Sequence, residues 1–338
     1  MAATRPLRPV RLWLLVVALL VAATVMVGGA TRLTESGLSI TEWKPVTGTL
    51  PPLSAQAWDA EFAKYKQIPQ YQQTNRGMSL SEFKTIYFWE WGHRLLGRVI
   101  GFVFLLPLIF FWARGYLPRT LAPKLALLFV LGGLQGAIGW WMVTSGLAER
   151  VSVAPYRLAV HLTLAFLIFA AIIWIVQSLG VARREKIPDG VRTGAWAVFV
   201  LAFVQVFLGA IVAGLDAGMS FTTWPLIDGQ FIPSFESLTP LEPAWRNLFE
   251  TPLTAQFVHR MAAYALLIAA ALHVWQARGT VLSKSAVVLL GLVVAQALIG
   301  IVTLVHAVPL LLALLHQLGA LAVIGHGGGY VRRAQAGT

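Results

Sequence analysis

The stretch SAVVLLGLVVAQALIGIVTLVHAVPLLLALLHQLGALAVIGHGGGYV, residues 285–331, contains no Asp, Glu, Lys or Arg, and it decides the fold. A helix needs about 20 apolar residues to cross the hydrocarbon core of a bilayer, so this run is too long for one crossing. Pro309 interrupts it shortly after His306, and proline does not continue a helix that reaches it from the N-terminal side. We therefore predict two antiparallel membrane helices, over 284–306 and 309–331, with a turn at Pro309.

The rest of the chain has the composition of the same class of protein. Of its 338 residues, 57% are hydrophobic and only 12% are charged, whereas about 25% of the residues of a soluble domain are charged. Further predominantly apolar stretches predict six more helices, over 11–31, 88–112, 122–144, 156–179, 192–214 and 254–276. The sequence thus predicts an all-α integral membrane protein with eight transmembrane helices.

The net charge of +12 is concentrated between alternate helices. A nucleic-acid partner is disfavoured because no soluble domain exists to carry a basic surface, whereas the positive-inside rule assigns such segments to the cytoplasm. The basic residues in question are Arg5, Arg8, Arg11, Arg114, Arg119, Lys124, Arg183, Arg184, Lys186, Arg192, Arg278, Lys284, Arg332 and Arg333. Both termini are therefore predicted to be cytoplasmic. The lack of an Arg/Ser-rich transit peptide favours a bacterial inner membrane, and a cleaved signal peptide is the alternative for the first helix.

Two long segments, 32–87 and 215–253, are predicted to lie on the opposite, outer side of the bilayer. Both contain aromatic, proline and polar residues, which favours ordered caps over disordered tethers. The chain has no cysteine. This excludes disulfides, thiolate metal sites and thioether attachment of heme.

The chain contains an internal duplication. Four sequence patterns occur in the same order in both halves. They are Gly-x-Ser-x-Thr-x-Trp, a His-Arg pair, Gln-x-x-Ile-Gly, and a histidine followed four residues later by alanine. They begin at Gly37, His93, Gln135 and His161, and again at Gly218, His259, Gln296 and His316. We predict two four-helix bundles, residues 1–182 and 183–338, related by a pseudo-two-fold axis along the membrane normal.

Four histidines of this duplication, His93, His161, His259 and His316, fall near the outer ends of their predicted helices, within about the first two turns. Polar side chains at membrane depth suggest function, and neutral imidazole is a good iron ligand. We predict two bis-histidine heme sites, one from His93 with His161 and one from His259 with His316. Zinc is a weaker alternative because neither pair has a convergent third ligand. The remaining histidines, His273, His306 and His326, are interpreted as structural.

Charged residues beside these histidines support a heme site. Arg94, Arg98 and Arg260 are predicted to bind heme propionates, the alternative being that they reach out to lipid head groups. Glu90 lies three residues before His93, and its counterpart before His259 is Gln256. Only Glu90 can exchange a proton, so chemistry is predicted at the first site and electron transfer at the second. The alternative is a glutamate favoured by the helix dipole.

The chain resembles the heme A synthase family over nearly its whole length. The resemblance rests on GGATRLT (28–34) with GLS (37–39), on EWGHRLLGR (90–98), on DAG (216–218) with WP (224–225), and on HR (259–260). It lacks the loop cysteine pairs of some members, which places it with the cysteine-free branch. The resemblance implies oxidation of a methyl group of heme O to a formyl group, giving heme A for terminal oxidases. Successive hydroxylations and loss of water from a gem-diol are implied.

The resemblance also implies the roles of the two sites. Substrate heme O would lie between His93 and His161 with Glu90 catalytic, and a heme b cofactor between His259 and His316. The implied partners are a heme O synthase that delivers the substrate, an electron donor or acceptor, and the bilayer; oligomerisation stays open. Two alternatives remain, namely a di-heme b-type electron-transfer cytochrome and, more weakly, a transporter built from two repeats.

Overall fold

A computed structural model describes residues 7–180 and 186–335. In these ranges eight helices are long and apolar enough to cross a membrane, as predicted from the sequence. We label them α1 to α8: Arg8–Leu33, Leu80–Ala113, Ala122–Thr144, Pro155–Ser178, Asp189–Gly214, Pro252–Gln276, Ser283–Val305 and Leu310–Ala334. Some predictions fall outside the described ranges. They concern the basic residues Arg5, Arg183 and Arg184 and the boundary between the two halves after residue 182.

The helix α2 begins eight residues before its predicted start at 88. Ser79 and Glu82 form a capping box, in which Ser79 Oγ accepts from the Glu82 amide and the Glu82 carboxylate accepts from the Ser79 amide. The first two turns of α2 carry charged residues, so they fall outside the apolar span that marked the helix. His93 therefore lies about three and a half turns into α2. The prediction that it lies within the first two turns was wrong.

The described residues divide into two compact units, Met1–His161 and Leu162–Thr338. In the first unit α1 packs along α2, and α2 also contacts α3. Polar contacts join α1 to α2, with the Trp13 indole donating to the Val103 carbonyl at 2.8 Å and Thr31 Oγ1 to the Trp89 carbonyl at 3.3 Å.

The segment between α1 and α2 is an ordered cap, as predicted from its composition. It contains the helices Ala55–Tyr65 and Pro69–Gln73 and a 3-10 turn over Thr47–Thr49. Its apolar side chains form one buried cluster with the first turns of α2, the end of α3 and the segment before α4. The members of this cluster are Leu38, Ile40, Trp58, Phe62, Tyr65, Ile68, Phe83, Tyr87, Val143 and Val153.

In the second unit α5 packs on α6 and α8, and α7 packs on α6 and α8. The chain turns between α7 and α8 at Ala307 and Val308, which have positive φ, and Pro309 precedes α8 as predicted. The segment between α5 and α6 forms the short helices Ala217–Ser220, Phe235–Leu238 and Asn247–Glu250 and a 3-10 turn over Ala244–Arg246. Its single isolated bridge, between Ile227 and Gln230, is the only β pairing in the described part of the chain.

The buried cluster of the first cap gives a stability prediction. Phe83 is fully buried in it, so Phe83→Ala should lower the free energy of unfolding by about 3–5 kcal/mol through a cavity and lost apolar burial. Thermal unfolding of detergent-solubilised protein measures the effect. Phe102→Ala on the same helix is the control, because Phe102 is 64% exposed in the chain. Equal losses in the two variants would contradict the cluster's role.

Candidate paired-histidine sites

Each of the four histidines packs against a glycine of the long helix that precedes its own. A Cβ atom at Gly28, Gly139, Gly209 or Gly300 would lie 2.7, 2.9, 3.1 or 2.7 Å from Cε1 of His93, His161, His259 or His316, respectively. Real Cβ atoms hardly ever come within 3.0 Å of another heavy atom. The glycines thus let each imidazole lie directly on a helix backbone, which a side chain would prevent.

Three of these histidines also contact a glutamine located one turn before the glycine. The side-chain amides of Gln135, Gln205 and Gln296 donate to the main-chain oxygens of His161, His259 and His316 at 3.0, 3.1 and 2.8 Å. The same amide nitrogens lie 3.5, 3.3 and 3.4 Å from Nε2 of those rings. These contacts hold both the backbone and the ring of each histidine.

The two histidines of each proposed pair lie in the same compact unit, His93 with His161 in the first and His259 with His316 in the second. Among the described residues no group of three His, Cys, Asp or Glu side chains could hold a metal ion. Each site therefore offers two imidazoles and no third ligand of this kind, which does not suit a bare zinc ion.

This donor set fits heme, whose macrocycle supplies the four equatorial ligands so that the protein needs to add only axial ones. Nδ1 of all four rings is buried without a hydrogen-bond partner in the described part of the chain. In each imidazole, Nδ1 is therefore not used by the protein and is available to bind another group. His93, His161, His259 and His316 are the residues that would hold the two hemes.

Beside the first pair, Glu90 joins α2 to the cap. Its side chain is buried, with the residue 3% exposed, and Oε2 accepts from Ser39 Oγ and the Ile40 amide, both at 2.7 Å. Arg94 donates to Oε1 from Nη2 at 2.6 Å and from Nε at 3.1 Å. Arg94 also donates to the carbonyls of Ile40 and Glu42, at 2.9 and 3.1 Å. Every partner of this carboxylate is therefore a donor.

Beside the second pair, Gln256 and Arg260 make the matching attachment. Arg260 donates to Gln256 Oε1 at 2.6 Å and to the Thr223 carbonyl at 2.8 Å. The Gln256 amide donates to the carbonyls of Ala217 and Phe221 at 2.6 and 3.0 Å. Here the loop supplies acceptors where the first loop supplies donors. The Glu90/Gln256 difference is thus matched by a reversal of hydrogen-bond polarity in the two loops.

The three arginines bind loop carbonyls. Arg98 donates to Pro45 and Lys44, both at 2.8 Å, and Nη1 has no partner among the described residues. Since most of their donors are engaged by the loops, Arg94, Arg98 and Arg260 primarily fasten the caps; propionate binding stays a prediction. Close by, hydrogen bonds from Lys44 and Lys64 hold the pKa of Glu42 below its ordinary value.

Several of these contacts were missed from the sequence. The Gln-x-x-Ile-Gly match in α3 and α7 was found, but Gln205 with Gly209 in α5 was not, because the residues between them differ. Thr24 with Gly28 in α1 has the same spacing, with threonine in place of glutamine. A search for a polar residue four positions before a glycine, in each helix that precedes a histidine helix, would have found all four.

The other histidines have protein partners. His273 is buried and its Nε2 lies 2.7 Å from the hydroxyl of Tyr330. His326 Nε2 lies 3.1 Å from Ser285 Oγ and 3.0 Å from its carbonyl. His306 Nδ1 lies 2.8 Å from the Val302 carbonyl, within the turn after α7. These contacts agree with their interpretation as structural residues.

Comparison with known proteins gives a consistent result. A family model described as "Cytochrome oxidase assembly protein", COX15-CtaA, matches residues 11–326. A protein of Azorhizobium caulinodans named heme A synthase is 56% identical, over 95% of this chain and 93% of its own length. Proteins of the same name from Bradyrhizobium diazoefficiens and Rhodopseudomonas palustris are each 56% identical over 96% of this chain, and over 91% and 90% of their own lengths.

The glycine contacts predict which substitutions disturb the sites. Gly139→Ala would place a Cβ 2.9 Å from Cε1 of His161, so the ring must move. We expect a several-fold loss of hemin binding, measured by the absorbance of the low-spin complex after reconstitution. Gly133→Ala on the same helix is the control, because a Cβ there meets nothing within 4 Å. Binding by Gly139→Ala equal to that of the control would contradict the contact's importance.

Proposed function

Because this chain belongs to the COX15-CtaA family of cytochrome oxidase assembly proteins, we propose that it acts as a heme A synthase, oxidising a methyl group of heme O to a formyl group. The identity of 56% to relatives of that name extends over nearly the whole chain and is the observation that carries the proposal. Four histidines, each against a glycine, supply the heme-binding residues that the activity requires.

In this proposal the first unit binds the substrate. His93 and His161 hold the iron of heme O, and their helices α2 and α4 fix the porphyrin beneath the cap. The cap is attached to α2 through Ser39, Glu90 and Arg94, so it excludes water from the site. Free Arg98 Nη1 is the donor available for a propionate.

Glu90 is the proposed catalytic residue. Oxidation of a methyl group releases protons, and a carboxylate is a suitable acceptor for them. Glu90 lies three residues before His93, so the two side chains occupy the same side of α2. Ser39, Ile40 and Arg94 fix the carboxylate in one orientation. Gln256 cannot accept a proton in this way, which assigns the chemistry to the first unit.

The second unit is proposed to hold a heme b cofactor between His259 and His316, and a bound heme b supplies one-electron transfer. Gln205 and Gln296 hold these two ligands from α5 and α7. The oxygen atom of the formyl group comes from water or dioxygen, and an electron acceptor or donor outside this chain is proposed to complete the oxidation. A heme O synthase is proposed to deliver the substrate, within a bacterial inner membrane with both termini cytoplasmic and both hemes near the outer side.

The role of Glu90 can be tested by substitution. Glu90→Ala should leave heme bound, because the histidines and glycines remain, and should lower heme A formation by at least about a hundredfold through loss of the proton acceptor. Heme A is measured by extraction and chromatography from cells. Gln256→Ala is the matched control; it also loses its loop contacts but should keep most activity. Normal heme A output from Glu90→Ala would reject the catalytic role.

A di-heme electron-transfer cytochrome is the second candidate, since four paired histidines suit it equally well. Mass analysis of the heme extracted from purified protein separates the two. Hydroxylated or formylated farnesyl-heme beside heme b is expected for the synthase. Heme b alone, from cells that make heme O, would favour the cytochrome.

A further inference from the structure

One of the four histidines lacks the partner that the other three share. His161, His259 and His316 each receive a glutamine amide on their main-chain oxygen, at 2.8–3.1 Å. For His93 the corresponding position is Thr24, four residues before Gly28. The Thr24 hydroxyl donates to the Leu20 carbonyl of its own helix at 2.8 Å. In the described part of the chain no side chain is hydrogen-bonded to His93.

The glutamine contact restrains a histidine at two places. A single amide nitrogen bonds the main-chain oxygen and lies within 3.5 Å of the ring Nε2 in all three cases. Rotation of the imidazole or a shift of its helix would break these contacts. His93 has the glycine packing of its ring, with the Gly28 Cβ position 2.7 Å from Cε1, and a hydrogen bond to the Thr24 main chain, but it has no side-chain amide. Its ring and helix can therefore move at a lower cost.

A general need for helix-helix adhesion does not explain this distribution. Glutamine occurs at the same spacing from the glycine in α3, α5 and α7, and in each case its amide binds the histidine rather than another residue of that helix. The helix pair α1 and α2 has its own polar contacts, through Trp13 and Thr31, yet neither reaches His93. A glutamine amide thus accompanies three of the four histidines, and only His93 lacks one.

We propose that Gln135, Gln205 and Gln296 are positioning residues that fix the axial ligands, and that Thr24 makes His93 the exchangeable ligand through which the substrate heme enters and leaves. This rests on the proposed function, because it assigns His93 to the substrate site. A substrate heme must leave after each reaction, whereas a cofactor heme stays. The unrestrained histidine lies on α2 together with Glu90, in the unit assigned to the substrate.

The experiment measures the rate at which each heme leaves the full-length, heme-loaded protein. Detergent-solubilised protein is mixed with excess apomyoglobin as heme acceptor, and chromatography of the retained pigment follows farnesyl-heme and heme b separately. The variants are Thr24→Gln, with Thr24→Val as its control, and Gln135→Leu, Gln205→Leu and Gln296→Leu. The electron paramagnetic resonance spectrum of the low-spin ferric hemes reports ligand orientation independently of activity.

Thr24→Gln should slow the loss of farnesyl-heme about fivefold, the effect of one added hydrogen bond, while Thr24→Val leaves the rate within twofold. Gln135→Leu should speed the loss of farnesyl-heme, and Gln205→Leu and Gln296→Leu the loss of heme b, each with a shifted resonance spectrum. Unchanged loss rates in the three leucine variants would overturn the positioning role. An unchanged rate in a folded Thr24→Gln would overturn the exchange role.

If Thr24→Gln does not fold, the unaltered protein tests the exchange role: farnesyl-heme should leave it faster than heme b, and equal loss rates would overturn that role. Either failure differs from failure of the proposed function, in which the unaltered protein would contain no farnesyl-heme or show no bis-histidine spectrum. The experiment thus distinguishes two outcomes. If the sites bind heme but the glutamines do not affect its release, this inference fails; if the sites bind no heme, the proposed function fails.

Discussion

The close approach of an imidazole to a helix backbone is the constraint on which the rest of the structure depends. Three times in this chain a histidine lies where a single methyl group on the neighbouring helix would collide with it, and at Gly209 the methyl group would make a tight contact with His259. Such an approach is possible only at glycine, so it fixes both the register and the separation of each helix pair. The two histidines of each proposed pair thereby lie in the same compact unit.

The caps depend on the same helices. Arg94 and Arg260 follow their histidines directly in sequence, and each binds the carbonyl at the same position of its loop motif, Glu42 or Thr223. Of two successive residues on each helix, the histidine thus packs against a glycine of the preceding helix, and the arginine binds the loop. This arrangement explains why the duplicated loop motif and the His-Arg pair occur together in both halves of the sequence.

Much of this could be predicted from the sequence, for identifiable physical reasons. The eight helices follow from the length of apolar runs, and the turn at Pro309 follows from proline chemistry. The start of α2 could not be read in this way, because its first two turns lie in the cap and carry Glu82 and Lys84. Hydropathy identifies the part of a helix that lies in lipid, but it does not show that the helix continues into a folded loop. The hydrogen-bond partners of Glu90 could not be predicted from the sequence either, since Ser39 lies 51 residues away along the chain.

The reversed polarity of the two loops has a consequence for how the halves diverged. Glutamine at position 90 would set its amide group against donors, either Ser39 and Ile40 or the Arg94 guanidinium. Glutamate at position 256 would face the carbonyls of Ala217 and Phe221. Each exchange sets like against like in a buried place, where unpaired polar groups are costly. The residue on the helix and the polarity of its loop must therefore change together, so neither can be exchanged between the halves without the other.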